Sequence, residues 1–155
     1  MSNSDRVFSY EEFLEKNGEL TYTNVGVSMM PLLRQGKDLF TVKKKDPAVR
    51  CKVGDVALYK RPPDKYVLHR VIEVRPDSYV ILGDNCIGKE YGIRDEDVLG
   101  IMTGYVRGGK THTVEETGYR MYSFVMLHTI PVRVALKKLK AAVGRRLSGQ
   151  TRGKK

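Results

Sequence analysis

The sequence has few of the side chains that metal and disulfide chemistry need. There are two cysteines, Cys51 and Cys86, and three histidines, His69, His112 and His128. The cysteines are far apart, no CxxC occurs, and no histidine stands at ligand spacing from another histidine or cysteine. No zinc pattern exists, and no metal or cofactor is expected. Two thiols in an otherwise ordinary chain point to a reducing compartment, with a single disulfide as the alternative. Long apolar runs are also missing. The most apolar window, MYSFVMLHTIPVRVAL, is broken by His128, Pro131 and Arg133. An ordinary transmembrane helix needs about 18 or more uncharged apolar residues, so none is expected. The first 20 residues lack a basic stretch followed by an apolar one, so no signal peptide is expected. Acidic residues, finally, are absent from the end: residues 133–155 hold nine lysines and arginines and no aspartate or glutamate.

That last absence organises the charge. Of the net +10, the final segment carries +9 and residues 1–132 only +1. A basic body would suggest nucleic acid; a basic tail on a nearly neutral body suggests an accessory surface contact. No aromatic residues are interleaved with the basic run, which disfavours single-stranded nucleic acid as a partner. The 155 residues are enough for one core.

Short β signals fill the middle of the chain. TYTNVGV, DLFTVKK, DVALYKR, YVLHRVIEV, SYVILGD and VLGIMTGYVR are β-branched or alternating. Turn signals separate them, among them Pro62-Pro63-Asp64, Pro76-Asp77, Gly83-Asp84-Asn85 and Gly108-Gly109. The alternation in YVLHRVIEV puts Leu68 and Arg70 on one face and Val67, His69 and Val71 on the other. Before these strands, residues 8–16 read as a helix, with Ser9 and Glu12 as a capping box and Asn17-Gly18 as its stop. After them, Val132, Leu136, Leu139, Val143 and Leu147 recur at helical spacing among basic residues, with Pro131 near the start. The expected architecture is mainly β, a ribbon or barrel of short strands. The expected divisions are a helical segment over 1–20, a β core over 21–112, an extension with a cationic amphipathic helix over 113–147, and a disordered tail over 148–155.

Three short motifs stand in order along this β region. GVSMMP contains Ser28, HRV contains His69, and GDN spans residues 83–85; Gly54-Asp55 precedes the HRV strand. Each alone is an ordinary turn or strand segment. As a series over roughly residues 24–106, they resemble the signal peptidase I and LexA-like serine peptidases, the S24/S26 group. The resemblance implies that fold, with Ser28 as the nucleophile and His69 as the general base. It follows the histidine pattern rather than the lysine one. A serine hydroxyl needs a base to take its proton, and a neutral imidazole does this near pH 7. An acid on the far ring nitrogen would orient the ring. Asp84 is the first candidate for that acid, with Glu90 and Asp95 as alternatives, because the aspartate that relatives place beyond GDN has no match at the same offset.

The same resemblance bears on substrate. Gly26 stands where some relatives have a serine that donates to the oxyanion, which leaves the backbone N–H of Ser28 as the main donor. Met29 and Met30 are read as flanking the substrate cleft, with Pro31 fixing the local backbone; core or turn packing is the alternative for both methionines. The implied activity is endoproteolysis of a precursor peptide or protein, after small residues. Signal peptidases carry a membrane anchor before the serine motif, and none is read here, so the expected location is cytoplasmic. A peripheral contact of residues 132–147 with the anionic inner membrane face is a further expectation. A self-cleaving repressor is disfavoured, since no helix-turn-helix or Ala-Gly or Cys-Gly bond precedes Ser28. The rival reading is a non-catalytic β-domain whose basic tail binds acidic lipid or nucleic acid.

Overall fold

The computed structural model describes residues 9–150. Eight antiparallel strands form one sheet: β1 (Glu19–Thr23), β2 (Leu39–Lys44), β3 (Val56–Arg61), β4 (Lys65–Val74), β5 (Tyr79–Leu82), β6 (Glu90–Ile93), β7 (Val98–Arg107) and β8 (Lys110–Thr113). Their order is β1-β2-β7-β3-β4-β5-β6, with β8 added to β7. Strands β1 and β6 are therefore edges, and the sheet is a folded open ribbon rather than a hydrogen-bonded barrel. Three helices complete the fold: α1 (Tyr10–Asn17), α2 (Thr117–His128) and α3 (Ile130–Gln150).

Helix α1 forms for the reasons its sequence suggests. Ser9 Oγ accepts from the Glu12 N–H, and the Glu12 carboxylate accepts from the Ser9 N–H, both at 3.2 Å. Gly18 closes the helix in a left-handed conformation at φ 74°. Leu14 is its buried anchor, while Phe13 stays 38% exposed. Burying one leucine stabilises the docked helix by about 2 kcal/mol. Gly108 and Gly109, both with positive φ, make the tight β7–β8 turn that two glycines favour.

The sheet is buried on both faces. Val56, Leu58 and Leu68 pack with Leu14, Phe40 and Met102 on one side; Ala57, Tyr59 and Val71 pack with Tyr79 and Ile81 on the other. The alternation read in β4 holds as far as an irregularity between Val71 and Glu73. Both cysteines are free thiols.

The C-terminal half of the expectation changes. Residues 117–128 form α2, which the sequence reading left inside an unassigned extension. Its apolar residues fall on both sides, with Tyr119 and Met126 buried and Met121 and Phe124 exposed, so no single stripe marks it as a helix. Helix α3 forms as expected but continues through Ser148 to Gln150, into the segment read as disordered; residues 151–155, like residues 1–8, lie outside the described residues. Among the described residues no helix is long and apolar enough to cross a membrane.

Candidate active site

Ser28 lies in the loop between β1 and β2, and the loop's shape is set by buried polar groups. Asn24, buried, donates its side-chain amide to the Gly26 and Leu33 carbonyls at 3.0 and 3.3 Å. Asp38 is also buried and accepts from Arg34 and Arg107. The Arg34 guanidinium beside it, joined by Arg107, holds its carboxyl well below the usual carboxylate range. Arg107 also donates to the Pro31 and Leu32 carbonyls, at 2.8 and 2.6 Å. The chain turns at Met30, whose N–H bonds the Val27 carbonyl at 3.1 Å, and then dives inward.

This turn decides which neighbours of Ser28 line the adjoining cleft. A cleft of about 1320 Å³ is lined by Gly26, Val27, Ser28, His69, Asn85, Cys86 and Glu90, with Tyr10, Tyr22 and Tyr66 along another wall. Gly26 reaches it with φ 120°, a conformation that favours glycine, and with open space where a side chain would stand. Met29, Met30 and Pro31 do not line it. Met29 is 1% exposed in the core beside Leu32 and Leu33, and Pro31 serves as an acceptor for Arg107. The cleft-flanking reading of Met29 and Met30 is therefore corrected to core and turn packing, and Pro31, grouped with them as substrate-binding, also stands outside the cleft, in the turn.

His69 sits on β4 directly opposite Ala57, whose small side chain leaves room for the ring. Its Nδ1 lies 3.3 Å from the Tyr59 hydroxyl and 3.3 Å from Glu90 Oε1. Its Nε2 points the other way, toward Gly83 and the Ser28 peptide. A methyl group built on Gly83 would stand 2.9 Å from His69 Nε2, 2.8 Å from the Ser28 carbonyl oxygen and 2.6 Å from Cys86 Sγ. Only glycine lets these three groups close around position 83. We expect Gly83→Ala to force the serine loop and the imidazole apart. For a serine–histidine pair acting in catalysis, a displacement near 1 Å costs about 100-fold in kcat, which assay of the purified variant would measure.

Burial lowers the His69 pKa, with Glu90 opposing and Arg61 adding to the shift. The ring is thus neutral at pH 7. In the tautomer with its proton on Nδ1, the atom beside Tyr59 and Glu90, Nε2 carries the free lone pair. Arg61 holds Glu90 in place through Nε to Oε2 at 3.1 Å and a second, closer contact from Nη2 to Oε1.

Asp84 is not the acid on His69. It is buried, with both oxygens 2.8 Å from the Arg70 guanidinium and Oδ2 accepting from the Tyr122 hydroxyl at 2.8 Å. Arg70 is itself fully enclosed and also donates to the Gly54 carbonyl at 2.9 Å and to Ser123 Oγ at 2.8 Å. These bonds fasten α2 onto β4. The arginine one residue after His69 takes the GDN aspartate, so that carboxylate is bonded to Arg70 and not to the ring. Asp95 is also elsewhere, paired with Lys45 at 3.0 Å and Arg50 at 3.1 Å. Of the three acids weighed from sequence, Glu90 is the one beside Nδ1.

Each member of GDN now has a physical role. Gly83 permits the close approach, and Asp84 anchors Arg70. Asn85 fixes the serine: its N–H donates to the Ser28 carbonyl at 2.7 Å and its side-chain amide to the Val27 carbonyl at 3.0 Å. Asn85 is in turn held from α3, where Lys137 Nζ donates to its backbone and side-chain oxygens, while Arg133 donates to the Asp84 carbonyl at 2.7 Å. Among the described residues no group accepts from the Ser28 N–H.

Tyr59, Arg61 and Lys137 were missed from sequence. Tyr59 and Arg61 share a face with Ala57 in the alternating run DVALYKR, and only the β3–β4 register brings that face to His69. Lys137 gave no signal apart from its basic surroundings. Neither a family model, a curated protein nor a solved structure matches the chain.

Proposed function

We propose that the protein is a serine endopeptidase of the signal-peptidase-like group, with Ser28 as nucleophile, His69 as general base and Glu90 as the orienting acid. One observation carries the reading: the two ring nitrogens of His69 face a carboxylate on one side and the serine peptide on the other. In this mechanism Ser28 Oγ attacks the scissile carbonyl carbon as its proton passes to His69 Nε2. The Ser28 N–H bonds the oxyanion, and Glu90 stabilises the imidazolium through Nδ1–H. Imidazolium then protonates the leaving amine, the peptide C–N bond breaks, and an acyl-enzyme remains. Water, deprotonated by the same nitrogen, releases the acid and restores the serine. The substrate is an extended precursor peptide with small residues before the cut, by resemblance to the family, and the expected setting is cytoplasmic.

The test is cleavage of precursor-like peptides carrying Ala-x-Ala sites, read by mass spectrometry across pH. Because burial lowers the His69 pKa, kcat/KM rises with pH with its midpoint below the ordinary histidine value of about 6.5. The same shift makes the fold's His69 contribution complete above about 6.5 and progressively lost as pH falls below it. An absent or inverted pH limb would remove His69 as the base. Failure to cleave any peptide, joined to a silent Ser28, would favour the non-catalytic β-domain.

A further inference from the structure

Helices α2 and α3 expose apolar surface for which the peptidase chemistry has no use. Phe124 and Val125 on α2 and Val132, Leu136, Leu139 and Val143 on α3 are between 47% and 62% exposed. Helical hydrogen bonds continue across the junction, from Thr129 N–H to the Val125 carbonyl at 3.0 Å and from Arg133 N–H to the Thr129 carbonyl at 2.9 Å. The apolar positions therefore run on from one helix to the next. Arg133 and Lys137 face the body, bonded to Asp84 and Asn85. At 3.6 residues per turn the α3 stripe lies about a quarter-turn from them, so it is not the surface that holds α3 against the GDN loop.

Charge selects the occupant. Residues 117–150 contain seven lysines and arginines and no acid. A second copy laid against this face would bring like charges together. A nucleic acid would match the cations but leave the aliphatic stripe unused. An anionic bilayer surface satisfies both, with side chains such as Leu136 among the acyl chains and the flanking Lys140 and Arg146 at the headgroups.

We infer that the α2–α3 face is a docking surface for an anionic phospholipid bilayer, with α3 lying in the interface. Lys137, Lys140 and Ala141 of the same helix border the cleft, so docking brings the cleft mouth next to the lipid surface. The inference does not depend on the peptidase reading.

The test is co-sedimentation of the full chain with vesicles of equimolar phosphatidylglycerol and phosphatidylcholine, and with pure phosphatidylcholine. Wild type is expected to pellet with the first at low salt and not with the second, and added salt weakens the binding. Leu136→Asp combined with Leu139→Asp is expected to lower the bound fraction about tenfold or more, with an unchanged circular dichroism spectrum. Its cleavage of a soluble peptide without vesicles stays at the wild-type rate, which separates lipid docking from catalysis. Wild type remaining in the supernatant with the anionic vesicles would overturn the inference. So would equal binding by the double variant, or a concentration-dependent dimer that the double variant abolishes without any vesicle binding.

Discussion

Ser28→Ala and His69→Ala are each expected to lower kcat by roughly 10⁴- to 10⁶-fold, and the double variant to lose no more than the worse single one. The non-additivity follows from the geometry. The hydroxyl is inert without a base, and the base has no proton to take without the hydroxyl. Stability should divide the two variants. Ser28 is half-buried and its side chain carries none of the loop's hydrogen bonds, which run through Asn24, Asp38, Arg107 and Asn85. Thermal unfolding of Ser28→Ala should therefore match wild type. His69 is 6% exposed, and its loss leaves a cavity beside Tyr59 and Glu90, so its variant should melt lower. Rates from peptide cleavage and melting curves from circular dichroism read both effects. Two additive losses of small size would mean that the residues do not act as a unit.

The second large effect separates the two acids. Asp84→Ala leaves the Arg70 guanidinium, 1% exposed, without its carboxylate. Removing one partner of a buried pair costs about 3–5 kcal/mol, so this variant should be strongly destabilised and should loosen α2 through Tyr122 and Ser123. Glu90→Gln is the opposite case. Its side chain is 23% exposed and held at the surface by Arg61, so the fold should tolerate the change. Its kcat should fall by about 10²- to 10⁴-fold, because an amide can present the wrong partner to Nδ1 and does not stabilise the imidazolium. Denaturant unfolding and kcat, measured on both variants, give a crossed pattern. An Asp84→Ala protein with normal stability and low kcat, beside an active Glu90→Gln, would reverse the assignment.

The contrast shows what one sequence can and cannot carry. Local features were legible: the Ser9–Glu12 capping box, the Gly18 stop, the alternation through Leu68–Val71 and the Gly108–Gly109 turn all depend on neighbours in the chain. The order of the serine, histidine and GDN motifs was legible too. Which acid meets His69 was not, because it depends on strand register and on competition. Arg70 takes Asp84, and β6 brings Glu90 back to the ring after a turn whose path no local pattern sets. The fate of Met29 was hidden for the same reason, since it packs in the core with residues distant in the chain such as Phe40 and Met102, in a loop whose Pro31 and Leu32 carbonyls Arg107 holds from a distant strand. Helix α2 was obscured by apolar residues on two faces, one for the core and one left in the open.

The most direct test of the central claim is covalent labelling of Ser28 by a serine-directed acylating or phosphonylating probe, mapped by peptide mass spectrometry. The account predicts one adduct, on the peptide carrying Ser28, formed faster as pH rises through the His69 transition and absent from His69→Ala. No adduct on Ser28, or one that forms equally well without His69, would contradict it.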